Sequence, residues 1–314
     1  MTSSDAGCFH GIDIGGSKIE LVAWRDAGGQ LQECFRERIA TPGTDFDAFI
    51  GAIAALVARG DAALGAAAPV GIGLPGVVDR ASGRQLSSNV PALNGRVVAQ
   101  ALQEALQRQV VIGNDCQCFA LSEAQGGAAH GLPSMFGAIL GTGAGGGYCV
   151  GGRLLRGANG IAGEWGHWSL PAALLTQYGL PLQYCPCGKR GCLERYVSGP
   201  GLSRLHAHLG GNGDTPLALV ARANSGDALA AQALAIHLDL LGHALASLVL
   251  AYDPHAIVLG GGLSNLDHLY QQLPAAIQRH LFHGVQAPPV LPPRFGDAGG
   301  ARGAALLVRQ LSEA

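Results

Sequence analysis

Charge is scarce in this sequence. Asp, Glu, Lys and Arg make up 13% of its 314 residues, against 48% hydrophobic residues. That balance excludes a disordered chain, which needs high charge and little apolar surface. No basic run occurs and the formal net charge is −2, which argues against nucleic acid as the main partner. The opening stretch, MTSSDAGCFHGIDIGG, has no basic segment leading into an apolar one, so no signal peptide is expected. The longest apolar stretch, from Ala228 to Tyr252, is interrupted by His237, Asp239 and His243. It reads as a buried helix capped by Asp227 rather than as a membrane span. A cytoplasmic protein with no membrane partner is expected. Its eight cysteines should then be reduced thiols or metal ligands, not disulfides.

What the sequence does have is glycine. Its 49 glycines are clustered without a period, which excludes collagen. The length suggests about two domains. CFHGIDIGGSKIELVAW reads as two strands around a glycine turn, and DFDAFIGAIAALVARG as a helix capped by Thr44 or Asp45. VGIGLPG is a short buried strand, RVVAQALQEALQRQ an amphipathic helix, VVIGND a strand ending in polar residues, and CFALSEAQGGAAHG a helix that stops in glycines. FGAILGTGAGGGYCV then repeats the opening strand–glycine–strand pattern, which suggests two related domains. HAIVLGGGLS runs into a third glycine turn, a helix covers 267–282, and a small-residue helix closes the chain. Alternating strands and helices make the fold α/β.

The glycine turns bear on nucleotide binding. GTGAGG at 141–146 matches G-x-G-x-x-G in form, but a β-like GYCV follows it where a dinucleotide site needs a helix. No Walker loop is present either. Glycine turns between strands can instead present successive backbone N–H groups to an anion, and Asp13 and Lys18 flank the first such turn. Asp13 could hold Mg²⁺ through water. The competing reading is three ordinary hairpins that need glycine for tight turning. Asp115, at the end of VVIGND, could cap the following helix or act as a base toward a hydroxyl.

CPCGKRGC at 185–192 holds three cysteines. Cys185, Cys187 and Cys192 with the upstream His167 would make a tetrahedral Cys₃His zinc site. A redox C-x-C pair is the rival, while a zinc ribbon would need a second ligand pair that is not there. Cys8, Cys34, Cys116, Cys118 and Cys149 read as packing residues. In GEWGH, Glu164 and His167 would share a face if the segment turns helically.

GIDIGGSK, LGTGAGGG, GEWGH, CPCGKRGC and VLGGGLS, taken in this order, resemble the ROK family of sugar kinases and sugar-responsive repressors. The likeness runs from about Gly11 to the final helix. It implies an actin-like, hexokinase/RNase H-type ATPase fold of two lobes with a cleft between them. The expected small lobe comprises 1–116 with 297–314, and the large lobe 117–296. The resemblance also implies that Asp13, Gly15, Gly16, Ser17, Lys18, Gly141, Thr142, Gly143 and Gly145 serve the ATP phosphates, with Gly261 and Gly262 near the adenosine. It makes Asp115 the catalytic base. Glu164, His167 and Glu194 would line the sugar pocket, and Gly76, Asn89, Asn114 and Asp115 are further sugar contacts. His167, Cys185, Cys187 and Cys192 become ligands of a structural Zn²⁺, and Mg²⁺ accompanies ATP. A homodimer is expected.

A repressor of this family carries a winged-helix region ahead of the first turn, and Asp13 lies too near the start to leave room for one, so an ATP-dependent hexose kinase is expected. NVPALNG and GHWSLPAALL look like the N-acetylglucosamine kinase branch, whereas NGIAGEWGH and LSNLDHLYQQL look like the fructokinase branch. The expectation is phosphorylation of N-acetyl-D-glucosamine on its 6-hydroxyl, with fructose, glucose and mannose as the alternatives.

Overall fold

The computed structural model describes residues 7–28, 30–79, 81–86, 90–296 and 299–312. Asn89 lies outside them. The chain forms β1 (Cys8–Ile14), β2 (Lys18–Ala27), β3 (Gln30–Ala40), α1 (Phe46–Leu64), β4 (Val70–Leu74), β5 (Val77–Val78), β6 (Gln85–Leu86), α2 (Val98–Leu106), β7 (Val110–Asn114) and α3 (Asp115–Ala124). It continues through β8 (Ser134–Leu140), β9 (Ala144–Val150), β10 (Arg153–Leu155), α4 (Ala172–Gln177), α5 (Glu194–Val197), α6 (Gly199–His208), α7 (Pro216–Asn224) and α8 (Ala228–Tyr252). It ends in β11 (Ile257–Gly260), α9 (Asp267–Gln278), β12 (Val290–Leu291) and α10 (Gly299–Ser312).

Two compact units result. The first holds Met1–Gly131, Gly152–Ala162 and Asp297–Ala314, and the second holds Leu132–Gly151 and Gly163–Gly296. A division after residue 116 would cut α3, which stays with the first unit because α10 packs on it. Arg302 donates to the Ser122 carbonyl at 2.9 Å, and Gly303 lies against the Cys118 carbonyl with no room for a Cβ. The segment 152–162 is also tied to the first unit. Gln125 and Gln310 both donate to the Gly152 carbonyl, Arg156 donates to Ile112, and the buried Gln117 amide donates to Gly160 and Ala162 at 3.1 and 2.9 Å.

In the first unit the strand order is β3-β2-β1-β4-β7. β1, β4 and β7 are parallel, with Asp13 opposite Gly73 and Leu74 opposite Asn114. One face buries Ile12, Ile14, Leu21 and Ile72 beneath Phe49 and Ile53 of α1 and Leu102 of α2. Asp45, not Thr44, caps α1 by accepting from the Ala48 N–H. Parallel strands in this arrangement place ligand sites at their carboxyl ends.

In the second unit the strands run β9-β8-β11-β12, with β8 and β9 antiparallel and β11 parallel to its neighbours. Phe136, Leu140, Trp165, Leu240, Leu245 and Leu259 lie in its core. α8 is, among the described residues, the one helix long and apolar enough to cross a membrane, and 61% of its apolar window is buried within the protein. Asp227 caps it, accepting from Leu229 and Ala230, and His237 donates from Nε2 to the Val197 carbonyl at 2.9 Å.

Candidate active site

The first hairpin joins β1 to β2 across Gly15–Ser17, with Ile14 opposite Ile19. Gly15 N–H donates to the Lys18 carbonyl at 2.8 Å, and the Thr41 hydroxyl donates to the Gly15 carbonyl at 2.8 Å. The turn is thereby rigid while Gly16, Ser17 and Lys18 remain exposed. Asp13, at the end of β1, lies against the first turn of α10. A Cβ at Gly300 would sit 2.6 Å from the Asp13 carboxyl carbon. The N–H-rich start of a helix favours a carboxylate there.

Asn114 and Asp115 end β7 and begin α3. Asn114 is the helix cap, accepting from Cys116 and Gln117 at 2.9 and 3.3 Å. Asp115 is therefore the first helical residue and not the cap that one sequence reading made it, although its Oδ1 also accepts from the Cys116 N–H at 2.8 Å. Asn114 Nδ2 donates to the Gly76 carbonyl at 3.3 Å, which brings Gly76 into the group. Desolvation raises the Asp115 pKa above the ordinary carboxylate value, opposed by its hydrogen bond from Cys116. The Cys118 thiol is fully buried and pushed far up by desolvation, with the Asp13 and Asp115 charges adding to the shift. Both carboxylates are thus near one thiol, at the carboxyl ends of β1 and β7, the parallel strands on either side of β4.

The second hairpin joins β8 to β9. Gly141 N–H donates to the Gly143 carbonyl at 3.0 Å, and Thr142 is exposed at the tip. Gly145 lies inside β9, buried, and its carbonyl accepts from the Trp165 indole at 2.7 Å. The glycines of β9 make a floor for the segment 163–167. Gly163, at φ 109°, presses on the Gly146 carbonyl, and Gly166 presses on that of Ala144. No side chain fits at either contact. The third turn reaches the second, since a Cβ at Gly261 would lie 2.6 Å from the Leu140 carbonyl oxygen. Gly262 beside it is exposed.

Glu164 precedes a single 3₁₀ turn, Trp165–His167. That turn puts Glu164 Oε2 3.8 Å from His167 Nε2. The other ring nitrogen, Nδ1, faces Cys185 Sγ at 3.8 Å, and Cys187 and Cys192 are 3.5 Å apart. The four donor atoms of His167, Cys185, Cys187 and Cys192 lie within 4.8 Å of one another. A tetrahedral zinc with ~2.3 Å Zn–S bonds has edges of about 3.7 Å, so this donor set fits a tetrahedral metal. The knuckle is built by Cys185 N–H donating to Lys189 and by left-handed Gly188 and Gly191. None of the eight cysteines forms a disulfide. Cys118 and Cys149 are buried, but Cys34 is exposed on polar β3 and is not a packing residue.

Glu194 opens α5, two residues past Cys192. Its Oε1 accepts from Cys185 Sγ at 3.0 Å. Sequence reasoning placed Glu194 near the knuckle but missed that its Oε2 lies 2.9 Å from where a Cβ on Gly143 of the second hairpin would sit. The contacts of the Gln117 amide with Gly160 and Ala162 carry no local sequence signal either.

Known proteins resemble this chain along its length. The model of the ROK family matches residues 9–311. An N-acetylgalactosamine kinase, AgaK, of Shewanella sp. (strain ANA-3) is 47% identical over 299 residues, covering 95% of this chain and 96% of that protein. An N-acetyl-D-glucosamine kinase of Photobacterium profundum is 40% identical over 301 residues, covering 95% and 98%. Among solved structures, a ROK hexokinase from Thermus thermophilus superposes with a TM-score of 0.86 at 31% identity, covering 98% of this chain and all of that one. A ROK glucokinase from Streptomyces griseus, in complex with glucose and AMPPNP, gives 0.76 at 29% identity, covering 97% and 100%. The fold is accordingly the actin-like ATPase fold, and the chain belongs to the ROK family.

Proposed function

We propose that this protein transfers the γ-phosphoryl group of ATP to the 6-hydroxyl of an N-acetyl-D-hexosamine. The observation that carries the reading is the grouping of Asp115 and Asp13 about Cys118, with the exposed Gly16–Lys18 turn following Asp13. Such a grouping suits phosphoryl transfer, which depends on positioning, charge stabilisation and a base. Asp115 takes the proton of the sugar 6-hydroxyl. The oxygen forms a bond to the γ-phosphorus, the bond from that phosphorus to the β–γ bridging oxygen breaks, and ADP leaves. Gly15, Gly16, Ser17, Lys18, Gly141, Thr142 and Gly143 hold the phosphates, and Gly261 and Gly262 lie toward the adenosine. Asp13 would hold a magnesium ion through water, and that ion would neutralise phosphate charge.

Sugar recognition falls to Glu164, His167 and Glu194 in the second unit and to Gly76, Asn114 and Asp115 in the first. Asn89, outside the described residues, remains a proposed contact. His167 Nδ1 and the three cysteines would hold a structural zinc. With Nδ1 on the metal, the Nε2 proton points toward Glu164, the usual way a neighbouring carboxylate orients a ligating histidine. A cytoplasmic homodimer is the setting in which we read this activity.

The N-acetyl group is supported by both named relatives, which differ at the C4 configuration of their sugars. ADP release measured over N-acetylglucosamine, N-acetylgalactosamine, glucose, mannose and fructose tests the proposal. The N-acetylhexosamines are expected to be used with the highest kcat/KM. Turnover of none of these sugars would refute the kinase, and a preference for fructose would refute the substrate class.

A further inference from the structure

Gly143 ends the second hairpin turn, just before β9. Its backbone is not left-handed, so chirality does not demand glycine there. Space does. A Cβ built at Gly143 would lie 2.9 Å from Glu194 Oε2 and 3.9 Å from its carboxyl carbon, and would meet nothing else within 4 Å. The glycine therefore serves as a seat for one carboxylate.

On its other side that carboxylate faces the thiol cluster. Cys185 Sγ lies 3.0 Å from Oε1, His167 Nδ1 lies 3.8 Å from the same sulfur, and Glu164 Oε2 lies 3.8 Å from the far side of the His167 ring. Gly143, Glu194, Cys185, His167 and Glu164 thus form one connected series inside the second unit. The backbone beneath Glu194 is also fixed. Arg195 N–H donates to Cys192, Ser198 N–H donates to Glu194, and His237 anchors the Val197 carbonyl at the end of α5. Rotation of its own side chain is the freedom left to Glu194, and position 143 limits it.

We infer that Gly143 is a positioning residue for Glu194, and through it sets the fit of the sugar, in addition to any service to phosphate. The inference rests on the reading of Glu194 as a sugar contact. A methyl at 143 meets only the far end of a flexible side chain, so the fold accommodates it and the carboxylate moves aside. Displacing a hydrogen-bonding carboxylate by about an ångström weakens substrate recognition and positioning together.

Steady-state kinetics on the full-length protein, with N-acetylglucosamine and N-acetylgalactosamine, test this in four forms: unsubstituted, Gly143→Ala, Glu194→Asp and the double variant. Gly143→Ala is expected to raise the sugar KM about tenfold, to raise the ATP KM by a clearly smaller factor, and to leave Tm unchanged. Aspartate at 194 withdraws the carboxylate by one methylene. In that background the added methyl is expected to cost less than about twofold, the non-additivity of groups in contact. A rise in the ATP KM with the sugar KM unchanged would overturn the inference, as would equal losses in both backgrounds or a Gly143→Ala protein that does not fold. Absence of turnover in the unsubstituted protein would instead defeat the kinase reading, and this inference with it.

Discussion

The two hairpins β1–β2 and β8–β9 look alike in sequence but lead into different surroundings. The first opens beside carboxylates: Asp13 against the start of α10, and Asp115 one residue into α3. The second opens onto a thiol cluster, with Glu194 lying between the cluster and the turn. Their glycines differ too. Those of the first make an exposed turn. In the second, Gly145, Gly146 and Gly147 lie in a buried strand that lets a neighbouring segment rest on bare backbone. One motif thus serves two purposes, and only the packing around it tells them apart. In the proposed function the base belongs to the first unit, and the thiol cluster with its neighbouring sugar contacts to the second.

Five measurements test this account. The largest effect is expected from Asp115→Asn, which should lower kcat at least about 10²-fold, with an unchanged circular dichroism spectrum and little change in sugar KM. Near-normal turnover would remove Asp115 from the chemistry. Gly163→Ala against Gly141→Ala comes next. At 163 a methyl meets the Gly146 backbone at a left-handed φ, while at 141 it meets nothing within 4 Å. A loss of about 3 kcal/mol or more in urea unfolding is expected at 163, and none at 141, where the ATP KM should rise instead. Equal stabilities would mean that the strand glycines are not a floor.

Cys187→Ser, or chelation of the metal, should weaken sugar binding about tenfold with a much smaller change in ATP affinity, both read by calorimetric titration. A metal-stripped, folded protein with unchanged sugar affinity would reduce the knuckle to a staple. The smallest effects concern pH. Asp115 must be ionised to accept a proton, and burial raises its pKa. The acid limb of kcat/KM should therefore lie above the ordinary aspartate value, near 3.9, and should be lost in Asp115→Asn. His237 is held neutral in the core, its pKa lowered by desolvation to about 4. The unfolded chain then takes up this proton below about pH 6.5 while the folded one does not. Stability should fall as pH drops from there toward 4, and His237→Gln should flatten that fall.

Much of this was legible in the sequence because it rests on local chemistry. The apolar runs of β1, β4, β7 and β8, the Asp45 and Asp227 caps and the cysteine spacing are all short-range signals. β3 was not legible. Its sequence, QLQECFRERIA, leaves mostly exposed or half-buried side chains on an edge strand, and polar residues on both faces give no alternation to read. α7 does carry a readable start, Thr215 as cap followed by Pro216, the pairing expected at a helix N-terminus. The role of Asn114 as cap could not be separated from that of Asp115, because both residues favour the position. The contacts of Gly143, Gly163 and Gln117 join residues far apart in the chain and appear only once it has folded.

The covering of the first sheet by α10 also constrains how the protein is made. Phe9, Val22 and Trp24 are buried together with Ala301, Ala305 and Val308, residues nearly three hundred positions later. A ribosome releases the strands of that sheet well before the helix that covers them, and it completes the entire second unit in between. Until then the sheet face around Gly11 and Gly71, against which α10 later lies, is bare. A nascent chain of this design carries an exposed apolar surface through most of its synthesis, the condition in which chaperones engage and premature termination leads to aggregation.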